Sequence, residues 1–295
     1  MRLFLNILTA AVLTFFLFSC SSEQNAANDR IKIATNSWIG YAPLFYAKET
    51  GELDKLGFSL ITNVSLAEAA DVYNVGKADM VTTTQHEYHA LKELIGDVTP
   101  VILLDRSNGG DMILSNLSLE KIKNAPHITV YLEVDSINAE LLQEFIKKNR
   151  IDQKKLSIIN EDQQKIQDVQ NTKEPTLIVT YTPYDVSLKK KGFGEIASTR
   201  NIHELVVIDA LCARKKVIDQ HKDRLAALKQ VIDQKIEQIK RNPKRSFGYV
   251  KKYLGDMSYE DYLASLQSIE WINHPSKELL DVIAGMGYKE KDLIK

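Results

Sequence analysis

Apolar positions along the chain switch between two spacings, and the switching predicts an α/β body. Strand-like apolar runs occur at 31–34, 58–61, 76–81, 100–105, 128–131, 176–181 and 204–213. Between them apolar residues recur three and four apart, the spacing of an amphipathic helix. Beyond 213 the pattern stays helical, over 217–241, 244–254, 259–268 and 277–285. Leu225, Leu228, Val231 and Ile232 share one face there, which suggests packing onto the first part of the chain. Asn242-Pro243 and His274-Pro275 punctuate these helices.

The first residues read differently. Met1-Arg2 precedes an apolar run from Leu3 to Phe18, shorter than the ~20 residues of a spanning helix, and reads as a targeting segment. Leu17-Phe18-Ser19-Cys20 resembles a bacterial lipobox, which implies a signal peptide over 1–19 and a lipid on Cys20. The polar stretch 20–29 has the composition of a flexible tether. With Cys20 so assigned, Cys212 is left alone, so no disulfide framework is expected. Its apolar strand setting points to a buried structural thiol. Lys and Arg number 38 against 39 Asp and Glu, with no basic patch interleaved with aromatics. That balance gives no case for a nucleic-acid partner.

The most informative stretch follows the first strand. Asn36-Ser37-Trp38-Ile39-Gly40-Tyr41-Ala42-Pro43 forms a polar-aromatic loop. Gly40 permits a tight turn, and Pro43 suits the first turn of a helix that ends near Gly51. Ligands gather at the carboxyl ends of strands in open α/β sheets, which makes Trp38 and Tyr41 candidates for one wall of a small-molecule site. Next, Ser65 with Glu68 has capping-box spacing. Thr82-Thr83-Thr84 ends a strand with hydroxyls, of which Thr83 and Thr84 are candidates. His86 and His89 share a helix face without a third ligand and read as exposed or packing residues.

The run Trp38–Leu44, with Ala47-Lys48-Glu49 and Gly51, resembles the opening of the nitrate/sulfonate/taurine/thiamine-precursor-type substrate-binding proteins of ABC importers. Gly76-Lys77-Ala78-Asp79 and Tyr181-Thr182-Pro183-Tyr184 resemble later steps of the same family. The resemblance implies the type II periplasmic-binding-protein fold, with two α/β lobes joined by a two-strand hinge. Lobe one would span 30–106 and 212–295, and lobe two 107–211. It further implies Asn108 and Asp111 at the hinge, and Glu133, Ser136 and Tyr184 as contacts from lobe two. Asp135 stands where relatives carry a small neutral residue, which weakens the expectation of an anionic ligand.

No hydrolase elbow, Walker loop, dinucleotide fingerprint or zinc spacing is present in the sequence, so no cofactor, metal or enzymatic activity is expected. The resemblance implies a lipid-anchored, monomeric, extracytoplasmic component that delivers a small solute to a permease and its ATPase. An enzyme of pyrimidine or menaquinone precursor synthesis, or a sensor feeding a membrane receptor, remains an alternative on the same fold. Arg106 stands against Glu68, Asp111, Glu133, Asp135 and Asp185 near the expected cleft. That excess of acid leans toward a neutral or amine-bearing solute.

Overall fold

The computed structural model describes residues 30–294. The expected signal segment, tether and Cys20 lie outside them.

The chain begins with β1 (Ile31–Asn36), a 3-10 turn at Ile39–Tyr41, and helices α1 (Ala42–Glu49) and α2 (Glu52–Lys55). Strand β2 (Phe58–Asn63), α3 (Leu66–Asn74), β3 (Met80–Thr83), α4 (Gln85–Leu94) and the long β4 (Thr99–Ser107) follow. The chain then crosses to β5 (Asp111–Ser115), α5 (Leu119–Asn124), β6 (Ile128–Leu132), α6 (Ile137–Asn149) and β7 (Leu156–Asn160). Next come α7 (Gln163–Ile166), β8 (Thr176–Tyr181), α8 (Tyr184–Lys190) and β9 (Gly194–Ser198). It returns through β10 (Ile208–Ala213) to α9 (Lys215–Gln220), α10 (Lys222–Arg241) and α11 (Pro243–Val250). The last elements are α12 (Tyr259–Leu266), β11 (Ile269–Trp271) and α13 (Lys277–Gly285).

Two sheets result. The first has six strands in the order β11-β4-β10-β3-β1-β2, and the second five, in the order β7-β6-β8-β5-β9. Strands β1, β2 and β3 run parallel, while β10 lies antiparallel to both β3 and β4. In the second sheet β6 is parallel to β7 and β8, and β5 is antiparallel to β8 and β9. These sheets are the cores of two lobes, each covered on both faces.

Alternation along single strands supplies those faces. Ile33 enters one apolar cluster and Ala34 the opposite one. Ile113 likewise packs opposite to Met112 and Leu114. The largest cluster sits between β1, α1 and α10, where Leu225, Leu228, Ile232, Ile236 and Ile239 recur at helical spacing and are fully buried.

The helical reading after 213 needs two corrections in detail. The helix expected over 217–241 is broken at His221, whose backbone is non-helical (φ −131, ψ 32), so α9 and α10 are separate. The helix expected over 244–254 ends at Val250 and continues as a 3-10 turn, Lys251–Tyr253. Helix α7 is a single turn, capped by the Asp162 side chain. Strands β7, β9 and β11 are three to five residues long, too short to stand out as periodic runs.

Leu228 is enclosed by α1 and the first sheet, so Leu228→Ala is expected to cost about 2–5 kcal/mol of unfolding free energy. Urea denaturation of the folded variant measures it.

Candidate functional site

The site is assembled where the carboxyl ends of β1, β3 and β8 meet the start of β5. Asn36, Trp38, Tyr41, Leu66, Thr84, Asp111, Tyr181 and Asp209 line a small interlobe cavity of about 10 Å³, close to the size one water occupies. A wider mouth of about 480 Å³ opens outside it between Ser37, Asn63, Gln164, Gln167, Tyr184, Lys252 and their neighbours.

Trp38 and Tyr41 are fixed by two carboxylates beneath them. The indole Nε1–H of Trp38 donates to Asp105 Oδ1 at 3.0 Å, and the Tyr41 hydroxyl donates to Asp209 Oδ1. Asp105 and Asp209 are register partners on β4 and β10, and neither is more than 3% exposed. Gly40 is required for this approach, because a Cβ at that position would lie 1.9 Å from Asp105 Oδ2. Gly110 plays the same part on the other side of Trp38, where a Cβ would meet the ring at 2.4 Å. The Trp38 ring therefore rests directly on the crossover between the lobes. Its edge-on contact with Tyr181, centroids 5.9 Å apart, continues to Tyr184 at 5.4 Å, which links cavity and mouth through aromatic rings.

Polar contacts join the lobes. Asn36 Nδ2 donates to the Tyr181 hydroxyl at 3.2 Å, and the Tyr184 hydroxyl donates to the Val64 carbonyl at 3.3 Å. Glu87 belongs to the capping box of α4, where its Oε2 accepts from the Thr84 backbone N–H. Its other oxygen accepts from the Ile137 N–H at 3.2 Å, so a lobe-one carboxylate occupies the first turn of a lobe-two helix. His86 Nδ1 lies 2.7 Å from Glu140 Oε1 beside it.

The sequence candidates fall into three places. Trp38, Tyr41, Thr84 and Asp111 line the cavity. Glu133 and Ser136 are buried in lobe two without lining that cavity, and Tyr184 stands at the mouth. Ser136 Oγ accepts from the Asn138 N–H as the cap of α6 and donates to the Glu133 carbonyl. Thr83 turns toward the first sheet, its Oγ1 3.3 Å from Cys212 Sγ. Asn108 is exposed outside the cleft, its carbonyl accepting from Arg200. Among the other charged residues weighed above, Arg106, Glu68 and Asp135 are exposed. His89 Nε2 lies 2.7 Å from the Met286 carbonyl, and no three His, Cys, Asp or Glu among the described residues are grouped to hold a metal.

Asp105, Asp209, Asn36 and Glu87 are absent from the sequence candidates. Asp209 had a readable signal, a lone carboxylate within the apolar run 206–213. Glu87 had only the look of an ordinary cap.

No protein-family model matches the chain, and no curated protein matches it by sequence. Solved structures do. A ligand-binding component of an ABC-type import system from Staphylococcus aureus, with zinc bound, superposes with TM-score 0.71 at 16% identity, covering 90% of this chain and 96% of that one. The periplasmic aliphatic sulphonate-binding protein SsuA from Escherichia coli gives 0.70 at 11% identity, covering 88% and 85%. A Candida albicans protein with the generic periplasmic binding protein fold gives 0.61 at 11%, covering 82% and 81%.

This chain has the periplasmic-binding-protein fold.

Four carboxyls, Asp105, Asp111, Glu133 and Asp209, are buried around the cleft. Burial, with the nearby Asp111 charge, pushes Asp105 up to about 8 against the pull of the Trp38 N–H. Burial and then the Asp105 charge raise Asp209. Burial also pushes Asp111 up to about 7 and Glu133 up to about 8. Cys212, fully buried and free, is pushed up to about 12 by the same cause.

A carboxyl whose folded pKa is raised binds more protons folded than unfolded near neutrality. Its contribution is complete below the unfolded value near 4 and is lost as pH rises through about 7 to 8. Unfolding free energy is therefore expected to fall by a few kcal/mol between about pH 5 and 9. Asp111→Asn removes part of that slope, and denaturation midpoints across the window measure both.

Proposed function

We propose that the protein is the lipid-anchored solute-binding component of an ABC import system. It would capture a small organic solute between its lobes and deliver it to a membrane permease driven by an ATPase. The observation that carries this is the cleft itself. Side chains from both lobes and from the first crossover converge there on one aromatic-walled cavity beneath an open mouth. Solved structures of import-system binding components share the fold.

In this reading the lobes part and close about the crossovers at Ser107–Asp111 and 199–207, exchanging the polar contacts between Asn36, Tyr181, Val64 and Tyr184 for solute and water. Trp38, Tyr41, Thr84 and Asp111 contact the solute from the hinge and lobe one, and Glu133, Ser136 and Tyr184 flank it from lobe two. The protein works as a monomer on the outer face of a bacterial membrane, held by the lipid on Cys20. No helix among the described residues is long and apolar enough to cross a membrane.

Two measurements test this. A fold-preserving mature form lacking Cys20, screened by thermal shift against small solutes and a small-molecule extract of its source cells, should yield a saturable stabiliser. At 100 times Kd the stabilisation is about 2.7 kcal/mol, and Trp38→Ala should abolish it. An unchanged response in that variant would overturn the assigned cleft. Separately, labelling with a palmitate analogue in a bacterial host should mark the full chain, and Cys20→Ser should remove the label.

A further inference from the structure

Hydrogen-bonding capacity in the cleft is lopsided. Most donors are spent on the protein itself, although Asn138 Nδ2 at the start of α6 is buried without a partner. Trp38 Nε1–H goes to Asp105, the Tyr41 hydroxyl to Asp209, Asn36 Nδ2 to Tyr181, and the Tyr184 hydroxyl to Val64. The Thr84 hydroxyl and the Ile137 N–H both go to Glu87. That last contact matters, because the first turn of a helix is where an anionic solute finds free N–H groups, and here a resident carboxylate takes that place.

The acceptors are left over. Asn36 Oδ1, Asp105 Oδ2, Asp111 Oδ2 and Glu133 Oε2 are buried without a hydrogen-bond partner. Asn36 and Asp111, no more than 4% exposed, line the cavity. Glu133 Oε1 accepts from the Gln163 N–H at 2.9 Å, which leaves only its other oxygen open. No Lys or Arg lines the inner cavity. A buried acceptor costs on the order of 1–3 kcal/mol while unpartnered, so a solute that brings N–H donors is favoured over one that brings more oxygens.

We infer that the solute is an organic cation, a small molecule with a protonated amine or similar N–H-rich positive group held by Asp111 and Glu133 beside the rings of Trp38 and Tyr181. This rests on the solute-binding reading above. The aromatic walls add the attraction of a cation for a ring face. A bare metal ion is a poorer occupant, since no three candidate ligands are grouped among the described residues.

The test titrates the mature protein, by calorimetry and thermal shift, with choline, putrescine, agmatine and thiamine at up to millimolar concentration. The matched uncharged compounds are 3,3-dimethylbutanol and 1,4-butanediol. Methanesulfonate and nitrate serve as anions, and zinc and calcium as bare metals. At least one organic cation should bind saturably, its uncharged counterpart roughly tenfold or more weaker, as for loss of a charge-assisted bond. Asp111→Asn and Glu133→Gln, with unchanged circular dichroism, should each weaken the cation by a similar factor. Binding by an anion, an uncharged compound or a metal with none by a cation overturns the inference and leaves solute capture standing. Cation binding indifferent to both variants overturns it as well. Silence from every compound and from the cell extract overturns both readings.

Discussion

Two carboxyl groups standing opposite one another on the central strands of lobe one constrain the surface that faces the cleft. Asp105 and Asp209 are shut away from water, and a donor placed directly above each takes one of its oxygens. The 3-10 turn after β1 supplies both donors, an indole and a phenol three residues apart. Gly40 lets the turn come down onto Asp105, and Gly110 lets the indole lie flush with the crossover. A change at any one of these positions is transmitted to the others, because the Trp38 ring touches the crossover and Tyr181 together.

The lobes meet chiefly through polar and aromatic groups, which would suit the parting of the lobes proposed above. Each neutral hydrogen bond across the cleft contributes on the order of 1 kcal/mol net, because water replaces it on opening. The apolar clusters stay largely within their own lobes, but Leu66 joins a lobe-two cluster, and Tyr181 and Tyr184 join the large cluster of lobe one. In the proposed reading, a solute that completes the cleft's hydrogen bonding would tip this balance.

The α/β pattern and the aromatic loop were visible in the sequence because each depends on short-range spacing, whereas the two lobes came from the family resemblance. The Trp38 turn, the Ser65 cap and the buried Cys212 could all be read from neighbours in the chain. What hid was long-range. Asp105 and Asp209 are more than a hundred residues apart, and their pairing is a matter of strand register. Glu87 reads as a cap on its own helix, and its second contact, to Ile137, exists only once the lobes meet. Asn108 and Thr83 sit beside cleft residues in sequence, yet strand alternation and the turn of the crossover direct them elsewhere.

Strand order also bears on how the molecule comes into being. Strands β3 and β4 follow one another along the chain but are not bonded to each other, because β10 lies between them. Until the chain beyond 207 has emerged, β3 presents unpaired backbone along one edge and β4 along both, surfaces prone to wrong partners. Lobe two is made in that interval, and its folding brings the two crossovers side by side. The middle of the first sheet is thus closed by one of its last strands, like a keystone set after the arch, and the second lobe serves as its scaffold.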